Sequence, residues 1–126
     1  MKAKKIGDIG ERIAEKYLKR LGYRILERNR HQSHNELDLI VSNSEFIVFV
    51  EVKTRSTNVD LYSPYGSPAA AVDRKKQQRL IQAAKDYLVQ NQFYGKQPRF
   101  DVVEIYLQKG SNQCLKVHHI PNAFTK

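Results

Sequence analysis

The sequence predicts one α/β domain in which a mixed β-sheet is flanked by helices. Helix-like and strand-like segments follow one another in the order α-β-β-β-α-β-β along 126 residues. The clearest strand covers residues 46–53, where a run of apolar, mostly β-branched or aromatic residues ends in Glu51, Val52 and Lys53. Since the sequence contains no linker, internal repeat or low-complexity segment, a single domain covering residues 1–126 is expected.

The first helix is predicted over residues 6–21, and Gly22 is suited to end it as a C-cap glycine. Its apolar stripe recurs at helical spacing and comprises Ile6, Ile9, Ile13, Ala14, Tyr17, Leu18 and Leu21. Gly7 and Gly10 are unusual in a helix, because each costs about 1 kcal/mol relative to alanine. They indicate either a close approach of the backbone to a neighbour or a helix that begins later.

The remaining segments are assigned from period-2 patterns, turn residues and one further helical stripe. Strands are predicted over residues 23–29, 36–42 and 46–53, joined as antiparallel neighbours by turns at residues 31–35 and 43–45. A long polar loop is predicted over residues 54–68, then a helix from the N-cap Asp73 to about residue 91. Residues 100–107 and 115–120 complete the predicted sheet.

The charge of the chain favours a polyanionic partner. The formal net charge is +9 and the isoelectric point is near 9.7, which is typical of domains that bind nucleic acid. The single cysteine, Cys114, excludes an internal disulfide and a cysteine-based zinc site, and it suits a reducing cytoplasm. No segment has the ~20 consecutive apolar residues that a membrane-spanning helix needs.

Two acidic residues are expected to meet at the end of the central hairpin. Counted from the turn at residues 43–44, Asp38 and Glu51 lie near each other on neighbouring antiparallel strands. Two converging carboxylates repel each other unless a cation lies between them. Mg²⁺, or Mn²⁺ in its place, suits this oxygen-rich site, and the Val52 carbonyl would supply a further ligand.

Lys53 follows Glu51 on the same face of the strand, which gives the triplet Glu-x-Lys. Beside a metal and a scissile phosphate, Lys53 would orient the attacking water or offset the charge that develops on the phosphate. The competing interpretation is a structural ion pair of Lys53 with Glu51 or Asp38. Glu11 and Glu36 are candidates for supporting acids, and Glu36 is expected on the same face as Asp38.

Two further basic residues are candidates for nucleic-acid contacts. Arg55, just after the central strand, and Lys76, in the second helix, would reach a phosphate backbone. The alternative is that both belong to a solvated basic face.

The order of motifs resembles the YraN-like family of small proteins, over nearly the whole chain. The segments that carry the resemblance are Gly7-x-x-Gly10-Glu11-x-x-Ala14, Gly22-Tyr23, Asn35-Glu36-Leu37-Asp38, Glu51-Val52-Lys53-Thr54-Arg55, Tyr65-Gly66-x-Pro68, Lys76, Arg99-Phe100-Asp101 and Asn122-Ala123-Phe124. This resemblance implies a restriction-endonuclease-like fold of the PD-(D/E)XK superfamily, similar to archaeal Holliday-junction resolvases. By position it makes Asp38 and Glu51 metal ligands, Lys53 the catalytic lysine and Glu11 a helix-borne acid near the metal. Asn35 and Leu37 stand where the family usually has glycine and isoleucine, and Asn35 is expected to tolerate a positive φ.

The residues and the resemblance together predict an Mg²⁺-dependent nuclease that acts on DNA, with branched or structured DNA as the expected substrate. Cutting both strands of a junction requires two sites, which favours a homodimer. The second hypothesis is a catalytically inactive nucleic-acid-binding module on the same fold. A third is a small assembly protein attached to a larger nucleoprotein, which the short basic ends of the chain disfavour.

Overall fold

Five strands form one mixed sheet in the order β1-β2-β3-β4-β5. The computed structural model describes residues 3–57, 72–93 and 95–125. Its elements are α1 (Ala3–Arg20), β1 (Arg24–Gln32), β2 (Asn35–Ser42), β3 (Phe46–Thr57), α2 (Arg74–Gln90), β4 (Gln97–Gln108) and β5 (Cys114–Phe124). β3 and β4 are parallel, and every other neighbouring pair is antiparallel. The predicted element order and α/β class are confirmed.

The two helices cover opposite faces of this sheet and enclose two cores. Ala14 and Leu18 of α1 are fully buried against one face, with Val48 and Val50 of β3. Leu80, Ala84 and Tyr87 of α2 pack on the other face. The faces differ because successive residues of a strand point to opposite sides. These buried residues of α2 therefore contact the side chains that share a face of β3 with Glu51.

The predicted element ends are less accurate than the elements themselves. β3 runs on to Thr57, so the first residues of the predicted loop at 54–68 are paired in parallel with β4. The rest of that loop, including Tyr65, Gly66 and Pro68, lies outside the described residues. α1 ends at Arg20, and Leu21 is exposed rather than part of the apolar stripe. Gly22 has φ 94°, and the bonds from Gly22 N to Lys19 O and from Tyr23 N to Leu18 O close the helix.

The turn between β1 and β2 is shorter than the predicted turn at residues 31–35. Ser33 and His34 have φ values of 53° and 66°, so they occupy the centre of the turn. Asn35 does not need a positive φ, and instead its side-chain Nδ2 donates to Ser33 O over 2.9 Å. The prediction that Asn35 supplies the positive φ is wrong, because the turn is two residues long and ends before it.

The two unusual glycines of α1 have different surroundings. A Cβ on Gly10 would clash with the side chain of Thr54 in β3, so this glycine permits close contact between α1 and the sheet. A Cβ on Gly7 would have no atom within 4 Å. Close backbone approach is therefore confirmed for Gly10 and does not apply to Gly7.

Alanine at these two positions should change stability in opposite directions. Gly7→Ala should raise the free energy of unfolding by about 1 kcal/mol, since only helix propensity changes. Gly10→Ala should lower it by about 1–3 kcal/mol, because Thr54 must move. Urea unfolding measures both, and Thr54→Ala should restore much of the stability lost by Gly10→Ala. Equal effects at the two glycines would contradict the role assigned to Gly10.

Within the described residues, no helix is both long enough and apolar enough to cross a membrane.

Candidate active site

A notch forms where the β2–β3 pairing ends. The last paired residues are Leu39 and Val50, so Asp38 and Glu51 are the next residues on the two strands. The main-chain N–H of Val52 no longer meets a β2 carbonyl and donates to Asp38 Oδ2 over 2.9 Å. This bond holds the Asp38 carboxyl at the mouth of the notch, beside Glu51.

The acid pair is held between the sheet and α2. Glu51 is 6% exposed. Leu80 of α2 and the core residues Leu37 and Phe49 border the same small pocket as the two carboxyls, and its volume of about 10 Å³ is enough for one water molecule. The carboxyls therefore have apolar groups behind them and few solvent contacts.

Burial and proximity shift the pKa values of the two carboxyls in opposite directions. Burial raises the pKa of Asp38 far above its usual range, and the hydrogen bond to Glu51 and the charge of Glu51 raise it further. Burial also acts to raise the pKa of Glu51, but the hydrogen bond from Asp38 and the contact with Lys76 outweigh burial, so that pKa is lowered. Without a metal, the two carboxyls therefore share one proton.

Two lysines lie beside the pair. The Nζ of Lys76, from the first turn of α2, is 2.6 Å from Glu51 Oε2. Lys53 is near enough for its charge to lower the pKa of Glu51. The sequence position of Lys76 predicts either a contact with a phosphate backbone or a place on a solvated basic face, whereas the structure directs the Lys76 ammonium to a buried carboxylate.

The chemistry of the notch fits a hard divalent cation. Glu51 Oε2 is buried, and the ammonium of Lys76 is 2.6 Å away. Asp38, Glu51 and the Val52 carbonyl offer oxygen atoms only, as Mg²⁺ and Mn²⁺ prefer. Among the residues that the structure describes, no three acidic, histidine or cysteine side chains converge on one point. Mg²⁺ commonly keeps several waters, so two carboxylates are a sufficient protein contribution.

The two candidate supporting acids, Glu11 and Glu36, lie in different surroundings. Burial raises the pKa of Glu11, which hydrogen-bonds to Asn29 of β1 and is near enough to Glu51 to be affected by its charge. Glu11 also lines an open cleft of about 310 Å³ with Gly7, Val52 and Thr54. Glu36 is exposed, its carboxylate is 3.6 Å from His31 Nε2 on β1, and its charge acts to raise the pKa of Glu11.

A second polar cluster was not found from the sequence. The Glu104 side chain is 1% exposed and accepts hydrogen bonds from Arg55 and from the Tyr106 hydroxyl, with His118 Nδ1 at 3.9 Å. Glu104 lies opposite Lys53 in the parallel β3–β4 register, so this cluster continues directly from the notch. The available signal was Glu104 itself, an acid in the middle of an apolar strand. Arg55 is thus oriented by Glu104, with its side chain 46% exposed.

Comparison with known proteins relates the whole domain to one family. The profile of Uncharacterised protein family UPF0102 matches residues 10–105. A UPF0102 protein of Caldanaerobacter subterraneus is 46% identical over 121 residues, which cover 96% of this chain and 95% of the relative. UPF0102 proteins of Alkaliphilus oremlandii and Alkaliphilus metalliredigens are 42% and 39% identical, each over at least 96% of this chain and 98% of the relative. The matched residues include Glu11, Asp38, Glu51, Lys53 and Lys76. The chain therefore belongs to the UPF0102 family.

Proposed function

We propose that this protein is a nuclease that uses Mg²⁺, or Mn²⁺, to hydrolyse phosphodiester bonds of DNA, with branched or structured DNA as its substrate. The observation that carries the proposal is the convergence of two buried carboxyls, Asp38 and Glu51, in one notch. Two carboxylates so close repel each other, and a bound cation removes that cost.

Asp38, Glu51 and the Val52 carbonyl would hold the ion. When bound, Mg²⁺ supplies a Lewis acid that makes water a better nucleophile at neutral pH and neutralises phosphate charge. Glu51 and Asp38 would then both be ionised, so the proton that they share would be released to solvent. Through the bound ion, the acid pair would also fix the phosphate at the mouth of the notch, beside Lys53.

Lys53 is assigned the role of stabilising the charge that develops on the phosphate. The oxygen of water bonds to phosphorus and gives a proton to solvent, while the bond to the leaving oxygen breaks, so negative charge builds on the non-bridging oxygens and on the leaving oxygen. A preorganised ammonium in a partly buried site stabilises that charge more than one in bulk water. Lys53 is half-buried and opposite Glu104, so β3 and β4 hold its backbone in place.

The local charge balance supports phosphate binding. Asp38 and Glu51, when ionised, carry two negative charges, and Lys53 and Lys76 carry two positive charges. A divalent cation at the acids would leave the cluster with a surplus of two positive charges, which matches the charge of the phosphorane-like transition state. The exposed Arg55 guanidinium, oriented by Glu104, would contact the adjacent phosphate.

Lys53→Met should slow cleavage by roughly a hundredfold to a thousandfold, since it removes a charge at the reacting phosphate. The assay uses branched, nicked and single-stranded DNA with Mg²⁺ or Mn²⁺. Lys75→Met is the matched control, because Lys75 is exposed on α2 and its loss removes the same charge. The proposal is rejected if the unaltered protein cuts no substrate, or if Lys53→Met cuts as fast as the control.

A second candidate function is a non-catalytic nucleic-acid-binding module on the same fold. The contact between Lys76 and Glu51 favours it, since an ammonium already balances the buried carboxylate there. Such a module would bind DNA with a steep dependence on salt and bind no divalent metal. Calorimetric titration with Mn²⁺ separates it from the nuclease.

A further inference from the structure

The ammonium of Lys76 lies where a cation at Glu51 would be expected. Asp73 caps α2, and its Oδ1 accepts from Lys76 N over 2.8 Å, so the backbone of Lys76 is fixed. Its side chain reaches Glu51 Oε2 at 2.6 Å and is 38% exposed, whereas the side chain of Glu51 is 6% exposed. A partly solvated ammonium therefore closes the notch from the side of α2.

This ion pair balances charge without completing the hydrogen bonding of the acid. Nζ lies 2.6 Å from Oε2, and no other described group donates to that oxygen. Buried ion pairs contribute to stability only when good geometry and further hydrogen bonds offset the loss of hydration. The contact of Lys76 with Glu51 is consequently one that a better ligand for Oε2 can replace.

We infer that Lys76 is an exchangeable counter-ion, which gives up Glu51 when a divalent cation binds and then contacts a phosphate of the DNA. This inference rests on the proposed function. Two cations cannot share one carboxylate oxygen without strong repulsion. The flexible four-carbon stem of lysine allows the ammonium to move toward solvent while its backbone stays fixed. The DNA phosphate beside the metal is the nearest anion that such an ammonium would meet.

The first test is metal affinity without DNA. Mn²⁺ binding is measured by calorimetry for the unaltered protein, Lys76→Met and Lys75→Met. Lys76→Met should bind Mn²⁺ on the order of tenfold more tightly, because the competing charge is gone. Lys75→Met should bind like the unaltered protein, since an exposed charge is screened.

The second test is DNA binding with Ca²⁺, which occupies oxygen sites of this kind, compared with binding in EDTA. Lys76→Met should weaken binding in Ca²⁺ and reduce the slope of log affinity against log salt by about one. In EDTA it should bind DNA like the unaltered protein, because Lys76 is then held by Glu51. The control Lys75→Met should change binding equally in both conditions.

The outcomes separate this inference from the proposed function. If the unaltered protein binds no Mn²⁺, the metal-dependent nuclease and the exchange of Lys76 are both overturned. If it binds Mn²⁺ and Lys76→Met binds no more tightly than Lys75→Met, the exchange alone is overturned. Lys76→Gln, which keeps a donor to Glu51 but no charge, gives the same comparison where Lys76→Met does not fold.

Discussion

Asp38→Asn should abolish cleavage and at the same time make the protein more stable. The loss of a metal ligand should slow cleavage by at least roughly a hundredfold, as for other groups that act directly on the reacting charge. The free energy of unfolding at pH 7 should rise by about 1 kcal/mol, in the range usual for relief of strain at an active site. Urea unfolding and the DNA cleavage assay measure the two effects on the same preparation.

The stability gain follows from the geometry of the notch. Asparagine can accept from Val52 N with Oδ1 and donate to Glu51 with Nδ2, so both contacts of Asp38 survive. Burial and the charge of Glu51 raise the pKa of Asp38, so folding at pH 7 makes the acid pair take up a proton at a cost in free energy, and the neutral asparagine avoids that cost. The acid pair would thus be kept for its function at a cost to the fold.

Asp8→Asn is the matched control, since Asp8 is an exposed acid on α1. It should change the free energy of unfolding by less than about 0.5 kcal/mol, as surface substitutions usually do. A destabilised Asp38→Asn protein that still cuts DNA would contradict both the predicted gain in stability and the role of Asp38 as a metal ligand.

The proximity of Asp38 and Glu51 could be predicted because it depends only on local rules. A tight turn sets the register of an antiparallel hairpin, and the register decides which residues lie opposite each other. The turn at Asn43 and the pairing of Leu39 with Val50 follow that rule. Counting residues from the turn does not predict where the β2–β3 pairing ends, and it is this end that opens the notch.

Other positions depended on tertiary packing and could not be predicted in this way. The contact of Lys76 with Glu51 depends on how α2 is placed against the sheet, which no local pattern specifies. The position of Glu36 could not be predicted for a different reason. Leu37 and Ile40 of β2 both contact the core under α2, so strict alternation is lost near the start of the strand and parity no longer places Glu36 with Asp38.

A buried network around Asp101 joins β4 and β5 to α1. The Asp101 side chain is fully buried and accepts from Arg99 Nε and Nη2, both over 2.8 Å, and from Asn122 N over 2.9 Å. His119 Nε2 is 2.7 Å from Oδ2, and His119 Nδ1 is 3.1 Å from the Tyr17 hydroxyl of α1. This network gives Asp101 a structural role.

Asp101→Asn should destabilise the protein by about 3–5 kcal/mol at pH 7, as when one partner of a buried ion pair is removed. The amide offers one acceptor oxygen in place of two and turns an N–H₂ toward Arg99, whose side chain is 14% exposed and keeps its charge. Urea unfolding measures the change, and Asp8→Asn again serves as the exposed control. A loss below about 1 kcal/mol would mean that the network contributes little to the fold.

The pH dependence of the same variant tests the charge of Asp101 directly. Burial acts to raise the pKa of Asp101, but the hydrogen bonds from His119 and Arg99 outweigh it, so the folded-state pKa lies below the usual value of about 3.9. Such a carboxylate stabilises the fold fully above its unfolded pKa, and this stability is lost as the pH falls through the folded pKa. Unfolding free energy measured from pH 6 down to pH 2 should therefore fall less steeply below pH ~4 in Asp101→Asn than in the unaltered protein. Equal slopes in the two proteins would assign the acid limit to other carboxylates, such as Glu15, whose pKa the hydrogen bond from Arg28 also lowers.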